Sequence, residues 1–135
     1  MQDFPINFWA ILVAAAIRMV VGMIWHSPFL FGPMWMKLAG CSQAEMSARL
    51  PKAVPIDFVG SLVMAFVLVH AVHYAGATTL VLGAVVGFFN WLGFIAVGNL
   101  AGVLYEKKPF NLFLIDISGQ LIALIAMGAL LAVWV

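Results

Sequence analysis

Charge is what this chain has least of: six Lys and Arg and five Asp and Glu make up 8% of its 135 residues, for a formal net charge of +1. A soluble domain carries about 25% charged residues, so this scarcity excludes a water-soluble fold. So small a basic excess also gives no electrostatic ground for a nucleic-acid partner. Cysteine is nearly missing. Cys41 stands alone, which excludes an internal disulfide, and its place in a loop expected to face the cytoplasm suits a reduced thiol. There is no basic leader ahead of the first apolar run, where the chain reads Met-Gln-Asp-Phe-Pro. That run is long enough to span a bilayer, so it is expected to stay as a helix rather than leave as a signal peptide.

What is present is hydrophobic: 66% apolar residues and a mean hydropathy of +1.16. A hydrocarbon core about 30 Å thick takes roughly 20 apolar residues per helical crossing. Phe4–Trp25, Ile56–Gly76, Leu80–Val103 and Phe110–Trp134 each supply that many. The expected fold is therefore all-α, a single transmembrane domain over residues 1–135 with four membrane helices and a first loop at about 26–55. The bilayer is the first partner. Nothing remaining is large enough for a separate catalytic or nucleotide-binding domain.

The cationic residues lie on one side of this topology. Lys37, Arg49 and Lys52 fall in the first loop and Lys107 and Lys108 in the third, while the second turn and the termini carry none. Short loops rich in Lys and Arg stay cytoplasmic. Both termini are thus expected outside, the first and third loops inside, in a bacterial inner membrane.

The first loop has two parts. From Trp25 to Lys37 it is apolar but interrupted by Pro28, Gly32 and Pro33, which predicts an interfacial segment with Trp25 and Trp35 at headgroup level and Lys37 on lipid phosphates. Ser42-Gln43-Ala44-Glu45 then has capping-box spacing and predicts a short helix to Leu50, stopped by Pro51. Pro55 suits the first turn of the second membrane helix.

The block Trp25-His26-Ser27-Pro28 through Gly32-Pro33-Met34-Trp35-Met36-Lys37 resembles the signature of a family of small bacterial membrane proteins, the domain of unknown function 1761 family. Asn90-Trp91-Leu92-Gly93-Phe94 and Lys108-Pro109-Phe110-Asn111 through Asp116 are similar to that family as well. The resemblance implies a four-helix membrane protein. It supplies no mechanism, because the family has no assigned activity.

Polar residues inside the bilayer are costly unless they face protein or water, which makes them the candidates for function. Arg18 lies about seven residues before Trp25 and Asp116 about as far beyond Pro109, each roughly 10 Å in. Matching depths predict that Arg18 and Asp116 pair as a staple between the first and last helices. Asn90 and Gln120 share a depth near mid-membrane, Gln120 follows Asp116 by one turn, and Asn99 extends the same polar seam. Glu106, beside Lys107 and Lys108, is expected in interfacial water.

Other polar groups point to less. His70 and His73 lie one turn apart, yet two imidazoles are not a metal site, and a third donor would have to come from Asp3 or another chain. His26 beside Ser27 has no acidic third member nearby and does not make a hydrolase triad. No cofactor, metal or catalytic set is expected.

Gly83-x-x-x-Gly87 and Gly98-x-x-x-Gly102 give the third helix two close-approach faces and predict that it is central. With the alanines and glycines of the first and fourth helices, there is more small surface than one protomer uses, which predicts a homo-oligomer or a place in a larger membrane complex. Two functions fit. One is a non-enzymatic structural or accessory component; the other is an oligomeric transporter or channel subunit for a small solute or protons, using Arg18, Asp116, Asn90 and Gln120. Size favours the first, since a single four-helix bundle leaves little lumen.

Overall fold

The computed structural model describes residues 4–134. Phe8–Trp25 forms α1, started by Asn7, whose side chain accepts from the amides of Trp9 and Ala10. A tight turn leads to α2, Gly32–Ala39, which ends where Gly40 takes a left-handed conformation (φ 71°). Gln43–Tyr74 forms α3, Leu80–Asn90 α4, Val97–Tyr105 α5 and Phe110–Val133 α6; a π-helical turn, Trp91–Ala96, joins α4 to α5. Four spans are long and apolar enough to cross a membrane: α1, α3, the continuous rod Leu80–Tyr105, and α6. The outward surface carries Phe8, Trp9, Phe89 and Phe94 in the open. This is a membrane protein.

Three features depart from the sequence reading. The Ser42 cap forms, its hydroxyl oxygen accepting from the Glu45 amide at 3.1 Å. The helix it starts does not stop at Leu50, however; it runs through Pro51 and Pro55 to Tyr74. Each proline removes one backbone bond, but both lie on an exposed stretch where water can serve the freed carbonyls, so the interruption is tolerated. The first helix begins at Phe8 rather than Phe4, because Asn7 caps it.

The third correction concerns the centre. The rod Leu80–Tyr105 is the least enclosed span, 11% buried against 44% for α6. It is α6 that packs on α1, α3 and α4 together. Glycine spacing measures how close one face can come, whereas centrality needs several apolar faces, and α6 has them. Its Leu124, Met127 and Leu131 join Ala10 and Ala14 of α1 and Ala65 and Leu68 of α3 in an apolar core at the end of the bundle where α1 begins and α6 ends.

Candidate functional site

At the opposite end, where α2 and the α5–α6 loop lie, the helices part. A cavity of about 800 Å³ opens between α1, α2, the first half of α3 and α6. Its apolar walls include Met19, Met23, Met36, Met46, Leu50 and Val54. Its polar groups include Arg18, Asp57, Gln120, Asp116 and His26. The cavity gathers both members of the expected staple, yet does not pair them.

Arg18 reaches α3 instead. Its Nη1 donates to Asp57 Oδ1 at 2.9 Å and to Ser61 Oγ at 2.7 Å, and its Nε donates to Gln120 Oε1 at 3.3 Å. The guanidinium side chain is 14% exposed and the Asp57 side chain 57%. Ser61 is fully buried and donates its own O–H to the Asp57 carbonyl or the Met19 sulfur. Asp57 and Ser61 lie one turn apart on the face of α3 that meets Arg18. Sequence reasoning missed Asp57. The signal was the i, i+4 spacing of Asp57 and Ser61 at the start of an apolar run.

Asp116 has different neighbours. Its Oδ1 accepts from Trp35 Nε1 at 2.8 Å, its Oδ2 lies 3.4 Å from Lys108 Nζ, and His26 Nε2 stands 3.9 Å away. Lys108 is brought there by the end of α5, where Lys107 adopts a left-handed conformation (φ 57°) and the Glu106 and Lys108 amides both return to the Gly102 carbonyl. A left-handed non-glycine residue costs about 1–2 kcal/mol. The turn aims a lysine at a carboxylate. His26 caps α1, with Nδ1 on the Gly22 carbonyl at 3.0 Å. The Asp116 carboxylate facing Nε2 raises the imidazole pKa above its ordinary 6.5, and the Gly22 contact adds to this, while burial opposes it.

Three tryptophans converge on one turn of α6. Trp25 Nε1 donates to the Ile115 carbonyl at 2.9 Å, Trp35 to Asp116, and Trp91 to the Ile117 carbonyl at 2.7 Å. A carbonyl has two lone pairs, so those of Ile115 and Ile117 can accept an indole beside their helical bond. Gly119 makes room: a Cβ there would come within 2.8 Å of the Trp25 ring. The indole N–H groups of Trp25 and Trp35 are therefore spent on α6 rather than left for lipid headgroups. Trp91 bonds to α6 from the first residue of the π turn; nothing in residues 91–96 announces that turn. Gly32 is required where it stands, because any side chain would run into the carbonyls of His26 and Ser27. Ser27 accepts from the amides of Leu30 and Gly32, and Pro33 falls in the first turn of α2, so the Trp25–Trp35 block is a compact connector.

The polar seam is only partly assembled. Gln120 joins Arg18, but Asn90 and Asn99 each donate to their own helix, to the carbonyls of Val86 and Ile95. A short amide one turn from a free lone pair satisfies itself locally, and no cross-helix bond results. Gly83 and Gly87 do meet α6 at backbone distance, whereas a Cβ at Gly98 would have nothing within 4 Å and one at Gly102 would meet only the Lys108 and Glu106 side chains. His70 gives Nδ1 to the Phe66 carbonyl, and His73 stacks on Phe4 at 3.7 Å. Asp3 lies outside the described residues.

Comparison with known proteins returns one family: the model for "Protein of unknown function (DUF1761)" matches residues 9–132. No curated protein and no solved structure matches. The chain belongs to the DUF1761 family.

Proposed function

We propose that this member of the DUF1761 family is a binding protein for a small amphipathic solute, held in the cavity between α1, α2, α3 and α6. The observation that carries the reading is one space of about 800 Å³ lined both by methionine and aliphatic side chains and by Arg18, Gln120, Asp57, Asp116 and His26. Pockets of about 300–1,000 Å³ with a few placed polar groups are the usual form of ligand sites. This favours the solute-handling function over the purely structural one that size suggests. Conduction straight through one protomer is not part of the reading, since the apolar core of Ala14, Ala65, Leu68 and Met127 closes the far end. The polar groups bind and orient; no nucleophile and base are juxtaposed among the described residues.

Filling the space should abolish binding. Ala53 is exposed and lines the cavity, so Ala53→Trp fills it without disturbing a packed contact. In maltoside micelles, at least one of a set of eight-carbon amphipaths, with neutral, anionic and cationic headgroups, should raise the melting temperature of the wild type saturably and leave Ala53→Trp unmoved. If none separates the two proteins, the cavity is not a solute site.

Two further proposals concern setting. The one-sided Lys37, Arg49, Lys52, Lys107 and Lys108 support a bacterial inner-membrane orientation with the cavity end cytoplasmic. A membrane-impermeant maleimide should then reach Cys41 only after cell lysis; labelling in intact cells overturns that orientation. Self-association is a second proposal, supported by the open face at Gly93 and Gly98, where an added Cβ would meet nothing within 4 Å.

A further inference from the structure

The donor count of the cavity points to the headgroup it takes. A guanidinium has five N–H groups and a primary amide two. Arg18 commits Nε to Gln120 and both Nη1 protons to Asp57 and Ser61. Its Nη2 has no acceptor among the described residues. Gln120 turns its oxygen to Arg18, so its Nε2 points elsewhere, and it too has no acceptor there. Neither atom is sealed in: among the described residues no buried side-chain nitrogen or oxygen lacks a partner, so both are accessible, on two side chains that line the cavity. Nη2 and Nε2 extend from two side chains already joined by a hydrogen bond, and together they present up to four free N–H donors to one space.

Formal charge does not decide the ligand's sign, since Asp57 is matched by Arg18 and Asp116 by Lys108. The hydrogen-bond inventory does. Free donors call for oxygen acceptors, and acceptors that are ionised make bonds roughly twice as strong as neutral ones. The unused oxygen of Asp57 belongs to a side chain 57% exposed and keeps its water. A cation would meet Arg18 and His26 in the same space. Beyond the donors, the walls of Met19, Met23, Met46 and Val54 offer an apolar surface that a bare inorganic anion cannot use.

Resting on the reading of this cavity as a solute site, we infer that it takes an amphipath with an anionic oxygen headgroup, a carboxylate or a phosphate, seated on Arg18 Nη2 and Gln120 Nε2 with its chain along the methionine wall. The headgroup comes either from a free single-chain solute or from a membrane phospholipid.

The test uses the intact protein in maltoside micelles, with octanoate, octyl phosphate, octan-1-ol, octyltrimethylammonium, inorganic phosphate and a two-chain phosphatidic acid as probes. Octanoate or octyl phosphate should raise the melting temperature at concentrations roughly tenfold below octanol or octyltrimethylammonium. Protection by phosphatidic acid assigns the lipid source, and protection by the single-chain anions alone assigns the free solute. The decisive variant is Gln120→Glu, which keeps an oxygen for Arg18 Nε and replaces the free donors with a carboxylate. It should melt within a few degrees of the wild type and lose roughly tenfold or more in affinity for the anions. Arg18→Lys should lose them as well. A stronger effect of the cation or the alcohol, or unchanged anion binding by a folded Gln120→Glu, overturns the headgroup assignment while leaving the cavity a ligand site; an equal effect of inorganic phosphate overturns the placing of a chain along the methionine wall. Silence from every probe overturns both.

Discussion

Replacing Gly87 with leucine is expected to remove the folded bundle in detergent, a larger stability loss than that of any substitution lining the cavity. A Cβ at Gly87 would run into the Leu124 carbonyl, with the Ile125 Cα 3.2 Å away. One turn earlier, a Cβ at Gly83 would strike the Gly128 carbonyl, and Gly128 stands in the same relation to Gly83. These are backbone obstacles, which cannot swing aside as a side-chain tip can. Overpacking a core against side chains costs about 1–3 kcal/mol. Against backbone the two helices must separate, and van der Waals contact is what holds helices together where lipid is as apolar as leucine. Gly98→Leu supplies the control, since a Cβ there would meet nothing within 4 Å. Size-exclusion profiles and melting curves should show Gly87→Leu aggregated or lost and Gly98→Leu within a few degrees of the parent. A Gly87→Leu protein that melts normally would mean that α4 and α6 do not touch there.

The same glycines show what was legible in the sequence. Four spans could be read because a run of about 20 apolar residues has few other uses. Gly83 and Gly87 as close-approach positions could be read too, since Gly-x-x-x-Gly puts both on one face. Which helix is central could not, because burial depends on how many faces are covered, and α6 covers three with ordinary leucine, isoleucine and methionine. The connector around Gly32 was recognisable as a block, but not the bonding of its indoles to α6, which depends on acceptors that α6 contributes from some 80 residues away. The cavity was invisible for a related reason. Its walls come from four helices, and its existence rests on α3 continuing through Pro51, which reads as a stop, and Pro55, which reads as the start of a new helix.

Arg18 is where that misreading changed the chemistry, and it carries the second large effect. Placing the start of the second membrane helix at Ile56 puts Asp57 at its rim; starting α3 at Gln43 puts Asp57 roughly four turns inside a continuous helix. Depth reckoned from the ends of apolar runs therefore selected Asp116 as the partner, and the structure selects Asp57. The two pairings give opposite double-mutant cycles. Removing one partner of a buried pair costs about 3–5 kcal/mol because the other charge is stranded. Asp57 is 57% exposed, so the effective cost is lower, and it is unequal on the two sides. Asp57→Asn leaves the nearly enclosed guanidinium with only Ser61 and Gln120, and we expect a loss of roughly 1–3 kcal/mol. Arg18→Met leaves a carboxylate that water can reach and should cost less. The double variant should be more stable than the sum of the singles by about 0.5–3 kcal/mol, the range for residues in contact. Arg18→Met combined with Asp116→Asn should be additive within about 0.5 kcal/mol, because Asp116 answers to Trp35, Lys108 and His26. Coupling in the second cycle and none in the first would restore the direct staple between α1 and α6 and remove the Arg18–Asp57 contact that orients the free donors toward the cavity.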